Sequence, residues 1–159
     1  MNTVLKASVA IAVFVALVST ALYLTGLHEN PLVSGPGFLV LVIGATVAIV
    51  FWALKQSAGE NGYGRQLGNA ALIGLIGGVL VFAGSMLLLT VFPNYLEEVK
   101  TAQIAGLEQG NLPEERMEAQ IAQIEAVTPV RSSLQGTVGT FFTCLIVGAI
   151  VAIFKRKKA

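Results

Sequence analysis

The chain of 159 residues contains no aspartate, one cysteine (Cys144) and one histidine (His28), and only 12% of its residues are charged. Each shortage excludes a class of chemistry. One cysteine cannot close an intrachain disulfide or supply a four-thiolate metal site. A Ser-His-Asp triad and an aspartic dyad both need an aspartate. A polynuclear metal centre needs more ligating side chains than such a chain brings together. Soluble domains carry roughly 25% charged residues. A chain that is 55% hydrophobic and so poor in charge cannot coat a water-facing surface. The expectation is a membrane protein with no catalytic residues, no metal and no cofactor, and therefore not an enzyme.

What the chain has in abundance is uninterrupted apolar sequence. Four charge-free stretches predict spans at about 7–27, 35–54, 67–92 and 132–154. The first runs from Ala7 to Leu27 and holds 21 residues. At 1.5 Å per residue it reaches about 32 Å, against a hydrocarbon core of about 30 Å. A cleavable leader ending near Ser19-Thr20-Ala21 is the rival reading of this stretch. The apolar run outlasts a leader's core and continues through Leu22, Tyr23 and Leu24, which favours a retained span.

The basic residues set the expected orientation. With four spans the termini share a side with the loop between spans two and three. That side receives Lys6, Lys55, Arg65 and the tail Lys155-Arg156-Lys157-Lys158, seven in all, against Lys100, Arg116 and Arg131 opposite. Both termini are expected in the cytoplasm. The tail reads as a topology signal that also meets anionic lipid headgroups. A nucleic-acid partner has no other support. Gly62-Tyr63-Gly64 in the second loop reads as a flexible turn, with no phosphate-binding context around it.

Residues 93–131 carry seven of the nine glutamates and read as an extracytoplasmic pair of short helices. Pro93-Asn94 opens the first, with Asn94 placed to cap it. Leu96, Val99, Ile104 and Leu107 form its apolar stripe. Gln109-Gly110-Asn111 breaks the helix. Pro113-Glu114-Glu115 starts the second, with acids beside the positive end of the helix dipole. Met117, Ile121 and Ile124 repeat on one face. The stripes either pack on each other and on the span ends or offer a docking surface to a partner protein.

Small residues recur every fourth position within the spans. Gly136, Thr140, Cys144, Gly148 and Ala152 form such a ridge in the fourth. Ser8, Ala12, Ala16 and Thr20 do so in the first, Ala70, Gly74 and Gly78 in the third, and Gly44 and Ala48 in the second. Such ridges let helix backbones approach closely where lipid supplies no hydrophobic drive. The ridges can satisfy one another within one bundle or meet a second copy. Cys144 is a small member of its ridge. No ionisable residue lies inside a span, which argues against ion or proton coupling. His28 beside Glu29 reads as an interfacial pair.

The order of features resembles a known family. Three spans lead to Phe92-Pro93-Asn94-Tyr95. Gln109-Gly110-Asn111-Leu112-Pro113-Glu114-Glu115 follows, with Met117, Glu118, Ile121 and Ile124, and then Pro129. The chain then runs Gly148-Ala149-Ile150-Val151-Ala152-Ile153-Phe154-Lys155-Arg156-Lys157-Lys158. This pattern is similar to the domain of unknown function 4199 family of bacterial membrane proteins. The resemblance implies an integral protein of the inner membrane and carries over no activity, substrate or catalytic residue.

The sequence therefore predicts an all-α membrane protein of four transmembrane helices with an extracytoplasmic helical hairpin between the third and fourth. Its expected role is that of a non-catalytic structural or accessory subunit, packing with membrane lipids and with itself or a membrane complex. The alternative is a small transporter or channel that forms a polar path by oligomerising.

Overall fold

A computed structural model describes residues 2–56, 61–110 and 112–154. The basic tail Lys155 to Lys158, with its expected headgroup role, lies outside the described residues, as does Asn111 of the helix-breaking segment. Among the described residues, six α-helices follow one another: α1 (Thr3–Leu24), α2 (Phe38–Gln56), α3 (Tyr63–Val91), α4 (Tyr95–Glu108), α5 (Glu114–Glu125) and α6 (Pro129–Phe154). A 3₁₀ turn (Leu27–Glu29) and a π-helical turn (Val33–Gly37) join α1 to α2.

Local chemistry sets these boundaries. The Asn2 side chain caps α1 by accepting the Val4 N–H at 3.3 Å. Gly26 turns the chain out of α1 at φ 71°, the left-handed region that costs glycine nothing. Pro36 then lacks an N–H, and its ring crowds the carbonyl of Leu32, so the ladder widens into a π turn before α2. The displaced Leu32 oxygen sits 2.8 Å from where a Cβ on residue 37 would lie, which is why Gly37 follows the proline.

Four segments are long and apolar enough to cross a membrane: Thr3–Leu24, Val33–Gln56, Tyr63–Val91 and Pro129–Phe154. All four reach beyond the charge-free stretches and take in Lys6, Lys55, Arg65 and Arg131 in turn, because backbone hydrogen bonding continues where the apolar run stops. Around the bundle the order is α1, α3, α6, α2, with α3 and α6 sharing the most extensive contact. The tightest layer is built from Ile11, Val50, Leu54, Ile73 and Cys144, each under 2% exposed.

Glycine makes that layer close. A Cβ on Gly74 would stand 3.0 Å from the Cβ of Cys144 and from the Cα of Phe141. One on Gly78 would stand 3.1 Å from the Thr137 carbonyl oxygen. One on Gly148 would collide with the Cβ of Ala70. Hydroxyls add cross-links. Ser8 Oγ donates to Val4 O at 2.9 Å and to Ile73 O of α3 at 3.2 Å. Thr137 Oγ1 donates to Ser133 O at 3.0 Å and to Gly78 O of α3 at 3.1 Å. In an apolar environment a hydroxyl without water satisfies itself this way.

The helix α4 lies across one end of the bundle and buries Leu96 and Ala102. It sits close enough to Pro31 that a Cβ on Gly106 would be 2.6 Å from the Pro31 Cβ. The following helix α5 packs on α4 and buries none of its residues. Lys100 clasps the pair, donating to Glu97 Oε1 at 2.9 Å and to Glu125 O at 3.4 Å. Asn94 does not cap α4 through its side chain, contrary to the expectation. Its backbone takes the helical conformation, and Tyr95 N–H bonds to Phe92 O instead.

Candidate functional site

The chemistry collects at the α4 end of the bundle. Tyr23 in the last turn of α1 meets Phe92 at a centroid separation of 4.4 Å, His28 at 5.0 Å and Tyr95 at 5.7 Å. His28 is 3% exposed at the centre of this aromatic group. Its Nδ1 lies 3.2 Å from Leu22 O and its Nε2 2.7 Å from Glu98 Oε2. A carbonyl oxygen only accepts, so Nδ1 carries a hydrogen. The second contact then takes one more proton, carried by either the ring or the carboxyl, to join Nε2 to Oε2.

This corrects the pairing of His28 with Glu29. The turn at Gly26 swings His28 inward beneath α4, while the adjacent Glu29 points out and is exposed. The true partner, Glu98, lies in the first turn of α4, 70 residues along the chain. Only the helix N-terminal preference of an acid was readable there. Tyr95 stands beside this pair. Burial pushes its hydroxyl above the ordinary value of 10.0, while a hydrogen bond with Ser19 of α1 pulls the other way.

Below the pinned helix lies a cavity of about 420 Å³. Its roof is Tyr95, Leu96, Val99 and Gln103 of α4. Its walls come from the halves of α1, α2, α3 and α6 that face α4, and among the described residues no charged side chain or histidine lines it. On the α1 and α3 side, lining residues such as Val15 and Val81 are buried. On the α2 and α6 side Leu39, Ile43, Gln135, Gly136 and Gly139 line it and are exposed. The cavity thus opens sideways, between α2 and α6. Gly84 and Gly139 both line it, and a Cβ on either would meet nothing within 4 Å.

The ridge residues divide accordingly. Gly74, Gly78, Thr140, Cys144, Gly148 and Ala152 are buried. Gly136 opens onto the cavity, with Val81 Cγ1 at an ordinary 3.6 Å from its notional Cβ. Gly44 and Ala48 of α2 face outward and join no helix seam. Of the candidate docking residues, Leu96 and Val99 face the cavity, and Leu107 is half-buried on α4. Ile104 is also half-buried, as are Met117, Ile121 and Ile124 on the side of α5 that meets α4. Sequence reasoning passed over Gly84 and Gly139, which lie off the four-residue ridges, and over Glu98. Among the described residues, no three His, Cys, Asp or Glu side chains come together to hold a metal ion.

An uncharged chamber between four such helices, roofed by a fastened amphipathic helix, marks an all-helical chain of the multi-pass membrane type. The chain matches the family model described as protein of unknown function (DUF4199) over residues 6–157, nearly its whole length, and it belongs to that family. No curated protein and no solved structure shows a significant match.

Proposed function

We propose that the protein is a non-catalytic accessory subunit of the bacterial inner membrane, with both termini cytoplasmic and the α4–α5 pair extracytoplasmic. Seven basic residues on the side of the termini against three on the other support this orientation. One observation carries the accessory role. Among the described residues the outer helix α5 packs chiefly on α4, and its apolar stripe of Met117, Ile121 and Ile124 is half-covered. A helix of 12 residues is marginal on its own in water. A partner protein that covers the rest of that stripe would complete it.

Copurification under native conditions, followed by limited proteolysis, tests this reading. A stoichiometric partner that protects α5 from cleavage supports it. A solitary chain whose α5 is already protected contradicts it. A cytoplasmic reporter should be active after Ala159 and silent at Gly110; activity at Gly110 reverses the orientation.

The cavity gives the transporter reading its foothold. It ends at the tight layer of Ile11, Val50, Ile73 and Cys144, so a path through this chain would require that layer to part. With no charged side chain in the lining, proton- or sodium-coupled uptake is not expected. Purified protein in liposomes should show none.

A further inference from the structure

We propose that the cavity is a binding site for one uncharged, single-chain amphipathic molecule that enters from the bilayer between α2 and α6. Four observations converge on that ligand class. Its volume of about 420 Å³ falls within the roughly 300–1,000 Å³ of pockets that hold small molecules. Its position between helices long enough to cross a membrane, with exposed Leu39, Ile43 and Gly139 at the opening, puts its mouth against lipid. Its deep wall sets Ala12, Val15, Val42 and Val81 beside Thr46, Thr140 and Thr143, and the Thr140 hydroxyl is already bonded back to Gly136 O, so the wall is mainly apolar and suits an alkyl chain.

Its polar groups gather at the α4 end. Gln103 of the roof and Gln135 of α6 line the cavity with side-chain amides that have no hydrogen-bond partner among the described residues. Gln103 lies on α4 and Gln135 within two turns of the start of α6, so both amides stand at the end of the cavity where a hydroxyl or ester head can hydrogen-bond to them. Among the described residues no lysine, arginine or histidine lines the cavity, so an anionic head would lie there without a counter-charge. No acid lines it either, so a cationic head would be equally unpaired. Charge complementarity therefore selects a neutral head. The pair of His28 and Glu98 fastens the roof but does not enter the site.

Photolabelling of the full chain in nanodiscs of neutral lipid tests the proposal, with a monoacylglycerol that carries a diazirine in its acyl chain as the probe. Adducts should concentrate on cavity residues such as Val42, Ser85 and Thr143, saturate, and be displaced by unlabelled monoacylglycerol. Gly139→Leu and Gly84→Leu each fill empty lining space and should each cut that labelling about tenfold or more. Gly44→Leu, on an outward face with the same free space, should leave it unchanged. Three results would overturn the proposal. One is unsaturable labelling spread over outward residues such as Leu41 and Phe142. Another is wild-type labelling in both filled variants. The third is equal labelling by a lysophosphatidic acid with the same diazirine, which would refute selection for a neutral head. Saturation and displacement in the unmodified chain decide the matter even where a filled variant does not fold.

Discussion

Two faces of α3 and α6 use the same residue for opposite purposes. Where the two helices meet, Gly74, Gly78 and Gly148 let two backbones touch, so that an added methyl would collide with Phe141, Thr137 or Ala70. On the cavity side, Gly84 and Gly139 face open space, although Gly139 lies between the seam residues Thr137 and Phe141 along α6. A glycine inside an apolar helix is therefore a contact only where another backbone arrives to use it.

The largest effect is expected where a bulky group enters the closed seam. Gly148→Leu should lower the melting temperature in detergent sharply, since overpacking a core costs about 1–3 kcal/mol and here the neighbour is backbone-bound Ala70. Gly139→Leu should not lower it. If both variants melt alike, the two faces do not differ and the comparison fails.

Next come the anchors of the roof. Glu98→Ala strips a buried imidazole of its partner and should cost about 1–3 kcal/mol, with the lower half expected because the Glu98 side chain is 37% exposed. Glu98→Gln should cost less, because an amide can still hydrogen-bond Nε2 of neutral His28. Thermal unfolding of the two variants side by side checks the order. An equal loss for both would mean that the charge, not the hydrogen bond, holds the roof.

Tyr95 gives a smaller effect that depends on pH. Its ionisation is held above 10.0 in the folded chain, chiefly by burial. Its contribution is therefore complete below that value and is lost as pH rises through the raised one. Tyr95→Phe should flatten the fall in melting temperature above pH 10 and leave the neutral range nearly unchanged. An identical alkaline limb in both proteins would show that Tyr95 is not the group responsible.

The smallest effect on global stability is expected in α5. Ile121→Glu should hardly move the melting of the spans, because α5 buries no residue. It should instead speed protease cleavage within 114–125. Unchanged cleavage would mean that the stripe is not held against α4.

These contrasts explain what could be read in advance. The four long helices were legible because lipid demands length and freedom from charge, and both are local properties of Ala7–Leu27 and its three counterparts. Gln109-Gly110 and Pro113 marked the ends of α4 and α5 for the same local reasons. The ridge from Thr140 to Ala152 was legible as spacing and is buried, but the identical spacing of Gly44 and Ala48 leads to no contact. Helix α2 uses Val50, Ala53 and Leu54 instead. The cavity and the meeting of His28 with Glu98 were not legible, because each depends on where a distant helix lies. A sequence without an alignment carries no sign of that placement.

The central claim is that the side of α6 that meets α3 is shut and its cavity side open, and a pair of single-methyl substitutions tests it most directly. Gly148→Ala and Gly139→Ala add the same atom to the same helix, α6. Calorimetric melting in one detergent should show opposite signs. Gly148→Ala should fall, because its Cβ has no room beside Ala70. Gly139→Ala should hold or rise, because its Cβ enters empty space and alanine favours helix by about 0.5–1 kcal/mol. Shifts of the same sign and size would contradict the account.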